Sequence, residues 1–297
     1  MTTQSEILCI GSVLWDVIGR SSSVMRVGSD VPGHIQRIPG GVAMNIAMTL
    51  SRFGMQPVLL SALGRDPEGD HLIDEATNMG MITQHIYRSD DLPTDVYMAV
   101  EGANGLIAAI ADAHSLERAD DKILRPLGDG RLGTAETPYS GLIALDGNLT
   151  SDLLRRIAQS PLFAAADLRV APASPGKADR LLTLLGHPSA TLYVNLEEAN
   201  LLCHTKFETA AEGAAALIKR GAKRVLVTNG GKEAAEATGD DIIVQAPPEV
   251  LVTRVTGAGD TFMAAHIVSE AEGLSRTDAL ARALNAAATY VSGENPK

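Results

Sequence analysis

Aromatic residues make up only 3% of this 297-residue chain, and it holds two cysteines. So few aromatics leave little to build the stacking platforms that hold single-stranded nucleic acid. Two thiols do not make a disulfide framework. Cys9, in an expected strand, and Cys203, near an expected helix end, fit a reducing compartment and buried side chains. Basic residues are also short, with 25 Lys and Arg against 36 Asp and Glu and a formal net charge of −11. Binding to a phosphate backbone draws on a basic surface, so no nucleic-acid partner is expected. No apolar run is long enough to span a membrane, and the first six residues lack the basic stretch of a signal peptide. No repeat or low-complexity segment stands out. What is there is an ordinary 45% of apolar residues and length for one large α/β domain or two modest ones. These features together predict a cytoplasmic enzyme of small molecules.

Apolar runs at residues 7–10, 58–63, 142–145, 168–171, 192–196 and 224–228 alternate with helical patterns. The latter fall at 42–53, 71–79, 151–158, 177–185 and 208–220. Strands separated by helices predict βαβ units around a largely parallel, covered sheet. Gly54 reads as the glycine just past the first helix, and Thr150 as an N-cap. Two segments break the rhythm. Residues 14–37 carry no helical period, and 94–112 read as two strands joined around Gly102-Ala103-Asn104-Gly105. Both are economically explained as a small sheet standing off the main fold. The chain is thus expected to be one domain over 1–297, with insertions at about 13–38 and 94–112.

The chemistry concentrates in a few places. An apolar run leads into Val255-Thr256-Gly257-Ala258-Gly259-Asp260, and an apolar helical pattern follows. Small residues at a helix start let backbone N–H groups approach an anion, with the helix dipole adding about half a positive charge. Asp260 in that first turn could be an ordinary cap. Beside an anion cradle it could also take a hydroxyl proton during phosphoryl transfer. Asp16 follows the first strand, where open α/β sheets bind ligands, and a carboxylate there can accept both hydroxyls of a vicinal diol. Gly40 and Gly41 permit close backbone approach, and the Asn45 amide can both donate and accept. Lys232 suggests a P-loop, but the required first glycine is missing; Gly257-Ala258-Gly259 likewise lacks the third glycine of a dinucleotide fingerprint.

Gly40-Gly41-Val42-Ala43-Met44-Asn45, followed by Gly54 and Gly64, resembles the first signature of the PfkB (ribokinase-like) sugar and nucleoside kinases. The Thr256–Asp260 stretch resembles the second, in the right order, and the likeness covers essentially the whole chain. The resemblance implies a three-layer α/β sandwich with a small β-sheet lid, ATP and Mg²⁺ as cofactors, and a homodimer joined through the lid. It implies that Asp260 is the catalytic base, with Gly257, Ala258 and Gly259 at the transferring phosphoryl. It assigns Asp16, Gly40, Gly41 and Asn45 to the sugar, and Asp146 to a substrate- or phosphate-side polar contact. Asn195 and Glu198 resemble the family's N-x-x-E motif that organises Mg²⁺. Thr228, Gly230 and Gly231 resemble the loop under the nucleotide, and Asn285 a residue near the adenine. One departure stands out. Many relatives place Asp at position 254, where it helps ligate a monovalent cation, whereas this chain has Arg254, which cannot ligate one.

Asn45 after Gly40-Gly41-Val42-Ala43, Val255–Asp260 with no preceding Asp, the hairpin segments 97–100 and 109–112, and Asp30-Val31-Pro32-Gly33 carry a softer resemblance to pseudouridine kinases, which implies phosphorylation of a ribosyl 5′-hydroxyl. Ribokinase, other nucleoside kinases and 2-keto-3-deoxygluconate kinase stay open, as does a non-catalytic ligand sensor. Polar candidates to read the base are Asp112 above all, with Thr94, Asn104, Ser12 and Asp30.

Overall fold

The computed structural model describes residues 5–26 and 28–296. The chain opens with β1 (Glu6–Ile10), leaves it for β2 (Leu14–Arg20) and β3 (His34–Gly40), and enters α1 (Val42–Arg52). It returns as β4 (Gln56–Leu60), then makes β5 (Ala62–Gly64), α2 (Pro67–Asn78) and β6 (Tyr87–Ser89). A hairpin follows, β7 (Val96–Gly102) and β8 (Gly105–Asp112), and then α3 (Ser115–Ala119). β9 (Leu142–Asp146), α4 (Ser151–Gln159), β10 (Asp167–Ala171) and β11 (Ala190–Asn195) resume the alternation. The remainder is α5 (Leu196–Cys203), α6 (Ala210–Lys219), β12 (Arg224–Asn229), β13 (Lys232–Thr238), β14 (Asp241–Gln245), α7 (Ala258–Ala271) and α8 (Arg276–Val291).

The large sheet runs in the order β14-β13-β12-β11-β10-β9-β1-β4. β4 to β12 pair in parallel, and β13 and β14 close the other edge antiparallel. Its central strands are apolar on both faces because helices cover both. In β1, Leu8 and Ile10 pack into a core shared with α4, α5 and α6, while Ile7 and Cys9 pack into one shared with α1, α7 and α8. This is the covered, largely parallel sheet expected from the alternation, in the three layers that the resemblance implies. Thr150 caps α4 by accepting from the Leu153 N–H, and Gly54 follows α1 at φ +86°.

The second sheet, β3-β2-β7-β8, is built from the two segments that broke the rhythm. β2 pairs antiparallel with β3 and parallel with β7, and β7 with β8 antiparallel. One expectation differs in detail. The helical pattern at 177–185 is a 3-10 stretch, Pro175–Leu184, begun by Pro175-Gly176 after Ser174. Residues 250–252, beyond β14, are exposed and form no strand.

Candidate active site

A cleft of about 800 Å³ lies between the large sheet's strand ends and the face of β2 and β7. The two helices that start at its floor, α1 and α7, pack against each other. Gly257 ends the approach to α7 at φ +89°, in the left-handed region that glycine takes without strain. A Cβ there would also lie 2.6 Å from the Tyr290 hydroxyl. Because Gly257 occupies the cap position, Asp260 is not the cap. Its Oδ2 instead accepts from Asn45 Nδ2 at 3.0 Å, tying the first turns of α1 and α7 together. Burial pushes the Asp260 carboxyl up to about 7, against the Asn45 hydrogen bond; the neighbouring carboxylates Asp146, Glu198 and Asp16 add to the rise. A carboxylate with that affinity can hold a proton and release it near neutrality.

Asp16 lines the cleft from β2 and makes no hydrogen bond with the protein among the described residues. Burial raises its pKa to about 6. Gly40, opposite Leu14 on β3, is buried, and a Cβ there would collide with the Asp16 carboxylate. Gly40 thus makes room for Asp16 rather than facing the cleft, while Gly41 caps α1 and lines it.

Asp146 is fully buried at the end of β9 and does not line the cleft. Its Oδ2 accepts from the Ser12 N–H at 2.7 Å and the Ser12 hydroxyl at 2.5 Å, and its Oδ1 from the Asn148 N–H at 2.7 Å. Ser12 Oγ accepts from the Val42 N–H at 2.9 Å, and the Ser12 carbonyl from the Met44 N–H at 3.2 Å. A chain of contacts therefore runs from Asp146 through Ser12 to the start of α1, and through Asn45 to Asp260. Burial holds the Asp146 pKa above its ordinary value. The sequence offered Ser12 as a polar candidate to read the base; no motif marks it as the link.

Asn195 and Glu198 both line the cleft and form a capping box at the start of α5. Asn195 Oδ1 accepts from the Glu198 N–H and Glu198 Oε2 from the Asn195 N–H, each at 2.8 Å. Burial pushes Glu198 up to about 7. Thr228 lines the cleft at the end of β12, whereas Gly230, Gly231 and Asn285 are exposed and outside its lining. Asn285 donates to the Ala281 carbonyl on its own helix. Ala258 is the first residue of α7, between the lining glycines.

The polar candidates for reading a base fall elsewhere, Ser12 excepted. Asp112 pairs with Val96 and not with Tyr97, so the alternation of a strand turns it to the face away from Asp16. Thr94 is buried against Asp66, Asn104 bonds the Met25 backbone, and Asp30 is exposed on the loop. Residues that the sequence did not single out take their place: Arg20, Tyr97 and Glu101 on the second sheet, and Asn148, Lys177 and Tyr193 opposite. Lys177 Nζ donates to Asn148 Oδ1 at 2.5 Å. Arg20 and Glu101 could have been found from the period of two that starts at Asp16; Lys177 sits in no motif. His266 of α7 is fully buried, its Nδ1 2.9 Å from the Tyr193 hydroxyl.

Arg254, the departure noted in the sequence, caps carbonyls. Its Nε donates to the Tyr290 carbonyl and an Nη to the Glu294 carbonyl, each at 2.7 Å, and the guanidinium lies 3.8 Å over the Tyr290 ring.

Residues 4–296 match the model of the pfkB family carbohydrate kinases. Among similar proteins, the pseudouridine kinase of Escherichia coli is 28% identical, covering 89% of this chain and 83% of its own. An uncharacterized sugar kinase of the same organism is 27% identical, covering 97% and 78%. A solved carbohydrate kinase from Agrobacterium tumefaciens superposes with a TM-score of 0.80 at 26% identity, covering 96% of this chain and 90% of that one. The chain belongs to the pfkB family of carbohydrate kinases, and is a phosphotransferase with an alcohol group as acceptor.

Proposed function

We propose that this pfkB-family kinase transfers the γ-phosphoryl of ATP to the 5′-hydroxyl of a ribosyl acceptor, with pseudouridine the leading substrate. The observation that carries the reading is Asp260: a carboxylate in the first turn of a glycine-started helix, open to the cleft and raised to about 7. In this reading Asp16 accepts two sugar hydroxyls, and Asn45 holds Asp260 toward the 5′-oxygen. Asp260 takes the proton as that oxygen attacks, and the Gly257–Gly259 backbone offsets charge on the transferring phosphoryl. Asn195 and Thr228 face the nucleotide. The pseudouridine assignment draws on the Escherichia coli relative, with Asp16 free to take a diol.

Mg²⁺ fits the donor set, although no group of three or more metal-binding side chains is found among the described residues. Mg²⁺ keeps its waters and takes few protein ligands beside phosphates. Glu198 and Asn195 would hold it, and a dication there would supply charge neutralisation for the phosphates. Burial disfavours the ionised forms of Glu198, Asp260 and Asp16 around this cleft, a cost that a dication among them would relieve.

The four-stranded sheet is proposed to serve as a lid over the acceptor and as a dimer contact. Its outer face exposes Ile35, Met98 and Ile110 at 79, 47 and 67%. Such an ATP-dependent reaction belongs in the cytoplasm. The deciding experiment is a kinase assay with pseudouridine, uridine, ribose, adenosine and 2-keto-3-deoxygluconate side by side. A kcat/KM for ribose or adenosine above that for pseudouridine overturns the acceptor and leaves the kinase standing; light scattering that finds a monomer overturns the dimer.

A further inference from the structure

The cleft-facing side of the lid is built in rows. Backbone register sets Asp16 beside Tyr97, Ile18 beside Ala99, and Arg20 beside Glu101, and all six residues line the cleft. Alternate residues of a strand share a face, and successive rows stand about 6.6 Å apart at the usual strand rise. The nearest row to Asp260 carries the free carboxylate of Asp16. The second is apolar and low, with Ala99 almost fully buried. The third sets a donor and an acceptor side by side, Arg20 Nε to Glu101 Oε2 at 2.6 Å. Neither the remaining guanidinium N–H groups nor Glu101 Oε1 has another side-chain partner among the described residues.

A bare pentose occupies the first row and leaves the other two without a role. A ring attached to the sugar would cross the apolar row and bring its far edge to the third. We infer that Arg20 and Glu101 are specificity residues that read the polar edge of a nucleoside's ring. Ile18 and Ala99 lie against the ring's flat face, Glu101 accepts a ring N–H, and Arg20 donates to the adjacent ring carbonyl. This rests on the nucleoside reading above and adds to it the chemistry of the edge: an N–H beside a C=O, as in a pyrimidine dione. An acceptor lacking that edge forgoes these hydrogen bonds and binds more weakly. The pair itself is exposed and adds little to stability, so it can be changed without loss of the fold.

The test measures kcat and KM for pseudouridine, uridine and ribose, with saturating ATP, in the wild type and in Arg20→Met and Glu101→Gln. Each variant is expected to raise KM for the two nucleosides about tenfold, the effect of one charged hydrogen bond, with kcat nearly constant. The nucleoside-to-ribose ratio of kcat/KM should fall by the same factor. An equal loss on ribose, a loss in kcat instead of KM, or no change on the nucleosides overturns the edge reading. A wild type that prefers ribose to both nucleosides overturns the acceptor reading beneath it, and this inference with it. Those two failures are told apart by the wild-type panel alone.

Discussion

The two sheets that meet at the cleft follow opposite plans. Residues Ile7 to Ile10 of β1 are all fully buried, because helices cover both faces of the large sheet. In the lid, β3 is exposed along five of its seven residues, and Ile35, Met98 and Ile110 stand open on the face away from the cleft. The large sheet positions the proposed base through a chain of contacts that starts in the buried interior, from Asp146 to Ser12, to the start of α1, to Asn45 and Asp260. The lid places its groups by strand alternation alone. A buried chain fixes geometry to within a fraction of an ångström because packed interiors resist small shifts. An exposed sheet tolerates changed side chains. The floor is therefore where chemistry is expected to fail on mutation, and the lid is where selectivity is expected to change.

The largest effect should come from the floor. Asp260→Asn keeps the shape of the side chain but cannot accept a proton, so kcat should fall about 10²-fold or more, with ATP affinity nearly unchanged by calorimetry. A variant retaining more than a tenth of the wild-type rate would remove Asp260 as the base. The same group predicts the pH profile. A base acts when ionised, and burial has raised Asp260 to about 7. Then kcat should climb from pH 5.5, reach half its plateau near 7, and flatten above 8. A profile flat from 5.5 to 8 would break the link between that carboxyl and the rate.

Asp146 and Asp16 sharpen the contrast, since both are acidic and both are desolvated. Asp146→Ala strips partners from the Ser12 N–H and hydroxyl and from the Asn148 N–H in a fully buried place. A buried group left without its partner costs about 1–3 kcal/mol, so thermal melts should drop by several degrees. Asp16→Ala removes no protein hydrogen bond. Because the Asp16 carboxyl is raised to about 6, its ionised form is disfavoured by folding. That handicap is absent below the ordinary carboxylate range and grows as pH rises through 6, so at pH 8 the alanine variant should melt no lower than wild type. Its deficit should appear in KM for the sugar, by the roughly 1.5–3 kcal/mol of charged hydrogen bonds. Weakened ATP binding with normal sugar binding would sink that assignment.

This contrast also marks what could be read from the residues alone. The βαβ rhythm, the Thr150 cap and the hairpin around Asn104 were legible because each is a local pattern. Asp260, Asn45 and Asp16 were nameable from spacing and family likeness. What spacing hides is the face. Asp112 and Tyr97 are equally good polar candidates in a list of residues, but the register of β7 against β8 turns one out and the other in. Asp146 was expected to make a polar contact in the site and is instead buried outside the cleft lining, because burial cannot be seen in a strand-end Asp. Lys177 lies in the first turn of a 3-10 stretch whose pattern reads as an α-helix, so its reach into the cleft had no local signal.

The smallest expected effect sits between the two plans, at the loop that feeds α7. Where a potassium ion activates a kinase of this family, it needs oxygen ligands near that loop. Here the carbonyls of Tyr290 and Glu294 already accept from the Arg254 guanidinium. The guanidinium also stacks on Tyr290, whose hydroxyl donates to the Thr256 carbonyl at 2.9 Å. A fixed cation thus holds the approach to Gly257 from the side chain, and a mobile one has little left to add. Rates in potassium and in tetramethylammonium at equal ionic strength should agree within about a factor of two, well under the effect of one hydrogen bond to a charged group. Tenfold activation by potassium would mean that other backbone carbonyls build a cation site, and that Arg254 only pins the end of α8.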